Sequence, residues 1–165
     1  MTMNPADAMP FSKLMGVRVT AASAQAVEGE IIVREDLCTA GGIMHGGAIM
    51  AFADALGAVG AVASLPEGAG GTTTIESKTN FVGPAPVGTT VIGETTPIHR
   101  GRRTMVWTTR ITTGAASPMA GSARTRRWPA STSPTARTWT TSASVPKWTA
   151  TASTTAPSTT PWAPR

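Results

Sequence analysis

The feature that most constrains the fold is a segment from residue 46 to about residue 64, which would be apolar on nearly every side of a helix. Pro66 follows this segment and would end the helix. A helix without a polar face must be covered on most sides by other parts of the chain. The segment is therefore expected at the centre of a domain.

Segments with the alternation typical of β-strands flank this helix on both sides. They cover residues 17–22, 26–33, 72–82, 89–99 and 103–113. A short helix is expected over residues 11–15, and Gly101 lies in the turn between the last two strands. One buried helix among antiparallel strands predicts an α+β fold in which a sheet curls around the helix.

The last third of the 165-residue chain has a different composition. Residues 1–113 carry a net charge of −1, whereas residues 114–165 carry +6 and contain no Leu, Ile or Phe. Only Met119, Val145 and Lys147 of those 52 residues require A or T at the second codon position, as expected for a GC-rich gene read out of frame. We therefore expect an extension over residues 1–10, a domain over 11–113, and a tail over 114–165. The tail would be disordered or out of frame, so the sheet would lack its last strand.

Composition also argues against several classes of function. The overall charge of +5 comes from the tail, so we expect no nucleic-acid partner. Asp54, near the middle of the apolar segment, argues against a membrane span. A single cysteine, Cys38, and an N-terminus without an apolar run predict a cytoplasmic protein. Two histidines without a carboxylate cluster predict no metal site.

The sequence His45-Gly46-Gly47 stands where the central helix begins. Backbone N–H groups at a helix start carry the positive end of the helix dipole and can polarise a carbonyl oxygen. Glycine lets a ligand approach these groups closely. By itself, however, the motif is slightly more typical of a plain glycine-rich helix start.

Asp54 favours a functional role for this helix over a plain glycine-rich start, because it is the only ionisable residue between His45 and Glu67. A buried, unpaired carboxylate costs several kcal/mol, so a packing role would favour Ala or Leu. Asp54 is therefore a candidate general base or nucleophile, and the alternative is a capping or dimer-pairing acid. His45 and Asp54 would lie about 13 Å apart along the helix and about half a turn out of phase. If both act on one substrate, two subunits must share the site, which predicts a dimer.

The chain resembles the hotdog-fold acyl-CoA thioesterases, and within them the PaaI-like and 4-hydroxybenzoyl-CoA thioesterase family. The resemblance covers about residues 11–113. It is carried by the spacing from His45-Gly46-Gly47 to Asp54, by the sequence Asn80-Phe81-Val82-Gly83-Pro84-Ala85 and by the turn Gly101-Arg102-Arg103-Thr104. It implies a sheet wrapped around one helix, and a homodimer or homotetramer. It also implies a substrate that contains coenzyme A, with no separate cofactor.

The resemblance also implies roles for individual residues. Asp54 would activate water or attack the thioester carbonyl, which the Gly46 N–H would polarise. His45 would orient the loop or contact the thioester, and Thr74 would place a hydroxyl near Asp54. The expected contacts with the substrate or its coenzyme A are Gly47, Phe81, Arg102, Arg103 and Thr104.

Thr39 marks a departure from the family pattern. The family usually has Asn or Gln six residues before the histidine, where this chain has Thr39. A threonine hydroxyl is shorter than an amide and cannot reproduce its two-sided hydrogen bonding. The alternative function is therefore a non-catalytic module that binds acyl-CoA.

Overall fold

The structure is a computed structural model that describes residues 3–114 in full and the backbone of residues 115–116 and 139–148. The described residues form two α-helices, two short 3-10 helices (Pro5–Ala8 and Glu35–Leu37) and seven strands. The α-helices are α1 (Pro10–Met15) and α2 (Gly46–Ala63). The strands are β1 (Arg18–Ala22), β2 (Val27–Ile32), β3 (Gly71–Thr72), β4 (Glu76–Asn80), β5 (Thr89–Arg100), β6 (Thr104–Ala116) and β7 (Trp139–Trp148).

The strands form one antiparallel sheet in the order β1-β2-β5-β6-β7, and β3 and β4 both pair with the far edge of β7. The sheet curls around α2, which confirms the predicted α+β hotdog fold. By length and composition α2 could also cross a membrane. In this fold it packs instead against the sheet, where Phe52 and Leu56 are fully buried.

Two glycines let α2 approach the sheet closely. Gly29 of β2 and Gly93 of β5 are register partners, directly opposite each other. A Cβ atom would lie 2.6 Å from Leu56 at Gly29 and 2.5 Å from Leu56 at Gly93. A side chain at either position would push α2 outward, so this pair fixes the depth at which α2 sits in the sheet.

The predicted strand over residues 72–82 is interrupted in the structure. Thr72 pairs with Lys147 and Glu76 pairs with Ser144, so three residues lie opposite two. Pro146, within that stretch of β7, has no N–H to offer to a ladder. The chain therefore leaves the sheet between β3 and β4, which turns Thr74 toward α2.

The expectation that the sheet lacks its last strand needs correction. The structure places β7 beside β6, in register from Thr104 opposite Pro146 to Ile111 opposite Trp139. The edge of β6 offers a row of backbone groups that can pair with an extended segment, and β7 contains Trp, Thr and Val, which are common in strands. The reading-frame hypothesis stays a prediction, since residues 117–138 and 149–165 lie outside the described residues.

Candidate functional site

His45 caps the start of α2. Its Nδ1 accepts a hydrogen bond from the Gly47 N–H at 2.9 Å, and its carbonyl accepts the Ala48 N–H at 2.9 Å. In the part of the chain that the structure describes, the Gly46 N–H has no acceptor. Of the first three N–H groups of α2, Gly46 therefore supplies the one that is open to a ligand.

The position of the His45 ring is set from two directions. The His45 N–H donates to the Leu37 carbonyl at 2.8 Å, which fixes the backbone. Because Nδ1 accepts the Gly47 N–H, the neutral ring carries its proton on Nε2. The exposed imidazole thus presents an N–H donor next to the open Gly46 N–H.

Phe81 lies against the same helix start. A Cβ atom on Gly46 would be 3.3 Å from Cζ of the Phe81 ring, which is half exposed. Glycine at position 46 therefore makes room for the ring, and the ring forms an apolar wall beside the open N–H. The structure thus places Phe81 and Gly47, two of the expected substrate contacts, at the start of α2.

Asp54 lies in the third turn of α2 and is half-buried. Its Oδ1 accepts a hydrogen bond from Oγ1 of Thr74 at 2.7 Å. Thr74 belongs to the connector between β3 and β4 rather than to a strand as expected, yet it reaches the carboxylate. A charge-assisted bond of this length fixes one carboxylate oxygen and leaves the second available to other donors.

His45 and Asp54 are separated within the chain, as their spacing predicts. The helix is continuous from Gly46 to Ala63, so nine residues correspond to about 13 Å along its axis. The two side chains also project from nearly opposite faces. One protomer therefore offers two half-sites rather than one assembled site.

Thr39 lies in a tight turn that precedes His45. Its N–H donates to the Ile43 carbonyl at 2.8 Å, its carbonyl accepts the Gly42 N–H, and its exposed hydroxyl is 3.4 Å from the Gly41 N–H. The turn is anchored to the core by the bridge between Cys38 and Met44. Thr39 is thus placed on the His45 side of the molecule and not near Asp54.

The turn that carries Arg102, Arg103 and Thr104 lies at the other end of α2. Arg100 next to it donates to the Ala24 carbonyl at 3.0 Å, and the Ser64 hydroxyl just past α2 donates to the same carbonyl at 3.4 Å. The 18 residues of α2 span about 27 Å, so His45 and this turn are far apart in one chain. The three turn residues are exposed.

A cavity beside His45 was not foreseen from the sequence. It has a volume of about 380 Å³ and lies between α1, the turn at Glu35–Leu37 and the start of α2. Arg34 borders it and donates to the carbonyls of Leu14 at 3.1 Å and Met15 at 2.7 Å. The available signal was Gly16, whose φ of 81° ends α1 and lets the Arg34 side chain approach.

Cys38 also borders this cavity but is not an activated nucleophile. Burial, together with the nearby carboxylates of Glu35 and Asp36, raises the pKa of its thiol. The Sγ atom lies 3.2 Å from the Arg34 carbonyl, to which the protonated thiol can donate. Within residues 3–116 and 139–148, no group of three His, Cys, Asp or Glu side chains could hold a metal ion.

Asp36 forms an ion pair with Arg34 whose contribution to stability depends on pH. Arg34 donates from Nε and Nη2 to the two carboxylate oxygens at 3.1 and 3.0 Å, and this bonding holds the pKa of Asp36 below its usual value. The pair therefore stabilises the fold at pH values above the ordinary aspartate pKa of about 3.9, and the contribution is lost as pH falls through the lowered pKa.

Asp36→Asn should have a lower Tm than the unmodified protein at pH 7, and the difference between the two Tm values should disappear in acid. Thermal melts across pH measure this, and an equal gap at pH 3 and pH 7 would contradict it.

Comparison with known proteins adds sequence relationships to this geometry. Residues 41–116 match the sequence profile of the thioesterase superfamily. The Mycobacterium tuberculosis protein MT1895, which bears the name of an esterase, is 31% identical over 106 residues. The matched region is 63% of this chain and 75% of that protein.

Solved structures share the fold. The structure of Rv1847/MT1895 from M. tuberculosis has a TM-score of 0.69 at 24% identity and covers 86% of this chain and 98% of its own. The thioesterase HI1161 of Haemophilus influenzae has a TM-score of 0.67 at 18% identity, with coverages of 90% and 93%. The E. coli PaaI protein from the phenylacetic acid degradation operon has a TM-score of 0.66 at 15% identity, with coverages of 87% and 91%. The sequence matches and the shared fold together establish that the chain belongs to the thioesterase superfamily.

Proposed function

We propose that the protein hydrolyses acyl-CoA thioesters to the free acid and CoA. The observation that carries this proposal is the Asp54 carboxylate, held by Thr74 at 2.7 Å in a helix that is otherwise apolar. The open Gly46 N–H at the start of the same helix supports it. Membership of the superfamily supports thioester hydrolysis in general, and the acyl-CoA substrate is our inference.

The proposed reaction needs only water and the side chains of the protein. In one route Asp54 takes a proton from water, and the hydroxide attacks the thioester carbonyl. The oxygen becomes an oxyanion that accepts the Gly46 N–H, at the positive end of the α2 dipole. The carbon–sulfur bond then breaks, and the CoA thiolate leaves and takes up a proton. In the other route Asp54 attacks the carbonyl itself, and the carbon–sulfur bond breaks so that the CoA thiolate leaves and takes up a proton. Water then hydrolyses the resulting anhydride, which releases the free acid and restores the Asp54 carboxylate. No metal or redox cofactor is required in either route.

The half-sites become complete when two protomers face each other. Gly46 and His45 of one protomer would meet Asp54 and Thr74 of the other, because one chain keeps them about 13 Å apart along α2. The outer edge of β4 offers a surface for such pairing, since in the described residues no strand covers it. Ile75 and Val82 flank this strand and are 60% and 57% exposed. We therefore propose a homodimer, or a tetramer built from such dimers.

Arg102, Arg103 and Thr104 are proposed to bind the phosphates of coenzyme A. Arg102 and Arg103 are exposed in the turn between β5 and β6, and Thr104 is exposed where β6 begins. Guanidinium groups match phosphate oxygens in geometry and charge. A substrate of this kind, and a single cysteine, fit an enzyme of the cytoplasm.

Thr74 provides a test of the carboxylate's positioning. Thr74→Val removes the hydroxyl but keeps the branched shape, and it should lower kcat/KM for acyl-CoA esters about tenfold, since a hydrogen bond to a charged group is lost. Thr74→Ser keeps the hydroxyl and should retain most activity. Steady-state kinetics of both variants decide this, and equal losses would show that the hydroxyl is not what matters.

The function itself is tested with a panel of acyl-CoA esters that includes short, medium, long and aromatic acyl groups. A thiol reagent measures the free CoA, and turnover is expected with at least one ester. Binding of the same esters in calorimetry without thiol release would instead support the non-catalytic acyl-CoA-binding module, the alternative that Thr39 favours. A protein that neither binds nor hydrolyses any of them would overturn both functions.

A further inference from the structure

The cavity between α1 and α2 lies directly beside the thioester-polarising end of α2. Its polar lining includes the His45 ring and Gly47, next to the open Gly46 N–H. Arg34 and Asp36 also border the cavity. The other lining residues are mainly apolar: Phe11, Leu14, Met15, Leu37, Cys38 and Ala48. A group whose carbonyl rests on Gly46 would have its hydrocarbon part next to this apolar wall.

We propose that this cavity receives the acyl group of the substrate and that α1 is the wall that limits the acyl length. The position of the thioester carbonyl in this inference rests on the proposed function. The volume of about 380 Å³ is near the lower end of small-molecule sites, which span about 300–1,000 Å³. A cavity of that size selects short to medium or single-ring acyl groups.

The exposed side chains of α1 support the same role. Phe11 and Leu14 are 60% and 73% exposed, although both border the cavity. Met15, on the same helix, is buried in the core and holds α1 in place. Large apolar side chains left in solvent at the rim of a cavity gain free energy when a hydrocarbon group covers them.

Arg34 fixes the position of this wall. A six-residue helix is marginal by itself. Arg34 donates to the Leu14 and Met15 carbonyls at its end and is in turn held by Asp36. The guanidinium thus ties α1 to the turn that leads to His45. Arg34 is a positioning residue, because it acts on the substrate through α1.

Binding of S-alkyl-CoA thioethers tests the cavity independently of turnover, because these analogues of the substrate cannot be hydrolysed. Calorimetry gives the Kd of S-methyl-CoA and S-hexyl-CoA for each variant. Leu14→Trp and Ala48→Leu fill the cavity from its rim and its floor. Each should weaken S-hexyl-CoA about tenfold or more and leave S-methyl-CoA unchanged, since each methylene excluded from an apolar site costs about fourfold. Ile98→Trp, at an exposed position outside the cavity lining, is the matched control.

Arg34→Gln tests separately whether α1 must be held in place. It should reduce the ratio of the Kd of S-methyl-CoA to the Kd of S-hexyl-CoA, because an α1 that is no longer held by Arg34 does not discriminate between the two alkyl lengths. Asp36→Asn keeps the bonds from Arg34 to α1 and should retain most of that ratio. A loss of thermal stability alone would not change the ratio.

The outcomes separate this inference from the proposed function. An unchanged S-hexyl-CoA affinity in both Leu14→Trp and Ala48→Leu would overturn the acyl cavity, even if the protein hydrolyses thioesters. The expected weakening in a protein that hydrolyses none of the panel would support the cavity and overturn the enzymatic function.

Discussion

Asp54→Asn is expected to lower the turnover of acyl-CoA esters by at least about a hundredfold, with the fold and the oligomer intact. A positioned general base contributes about 10²–10⁴-fold to a rate, and an amide can neither take a proton from water nor attack a thioester. Asparagine has nearly the same shape as aspartate, and its oxygen can still accept the Thr74 hydroxyl. The substitution therefore removes the carboxylate that acts as base or nucleophile, and it keeps the shape of the side chain and its contact with Thr74.

A stability measurement shows which function of Asp54 is lost. The carboxylate is half-buried in an apolar helix, so its replacement should leave the Tm unchanged or raise it. Glu94→Gln makes the same chemical change at an exposed position on β5 and is the matched control for activity. Full turnover by Asp54→Asn would remove Asp54 from the mechanism. A lost oligomer would support the alternative in which Asp54 pairs two subunits.

Mixing of two inactive variants tests the sharing of the site. Asp54→Asn disables one half-site, and Gly46→Val disables the other because its side chain would meet the Phe81 ring at the helix start. In a shared site, a mixed dimer has one intact combination of half-sites. Unfolding and refolding the two variants together should then restore part of the activity, whereas either variant refolded alone stays inactive.

The fold was predictable from the sequence because hydrophobic patterns were strong on both sides of α2. A helix that is apolar on nearly every side must lie at the centre of the domain, and Pro66 predicts its end. The structure ends α2 at Ala63, close to the expected residue 64. The β5–β6 hairpin was predictable from alternation around Gly101. The final strand was missed because pairing with β6 is made by backbone groups, which leave little signature in side-chain composition.

The candidate site was predictable in its parts but not in its arrangement. Asp54 and His45 are conspicuous because a carboxylate or a histidine is unusual in an apolar segment. The contact of Asp54 with Thr74 depends on where the chain leaves the sheet between β3 and β4, which is a property of register. The clamp from Arg34 to α1 joins residues about 20 positions apart through backbone carbonyls, and no sequence pattern encodes such acceptors.

Gly93→Val is expected to destabilise the protein more than any surface substitution would. A Cβ atom at this position would lie 2.5 Å from Leu56 Cδ1, closer than real Cβ atoms approach, and would also lie 3.0 Å from Phe52 Cε1. Because both neighbours are fully buried and α2 is packed along its length, they cannot move without opening the core. Overpacking of this kind costs about 1–3 kcal/mol. Urea denaturation should show a lower midpoint with an unchanged slope.

Gly114 and Leu56 supply the controls that make this result specific to the packing of α2. Gly114 of β6 would place a Cβ atom 3.3 Å from the end of the Ile92 side chain, so Gly114→Ala should be neutral or slightly stabilising. Leu56→Ala creates a cavity by itself, yet it makes room for the extra atoms at position 93. The double variant Gly93→Val/Leu56→Ala should therefore be more stable than the sum of the two single losses implies. Strict additivity would mean that the side chain at position 93 is accommodated elsewhere, and that the glycine pair does not set the depth of α2.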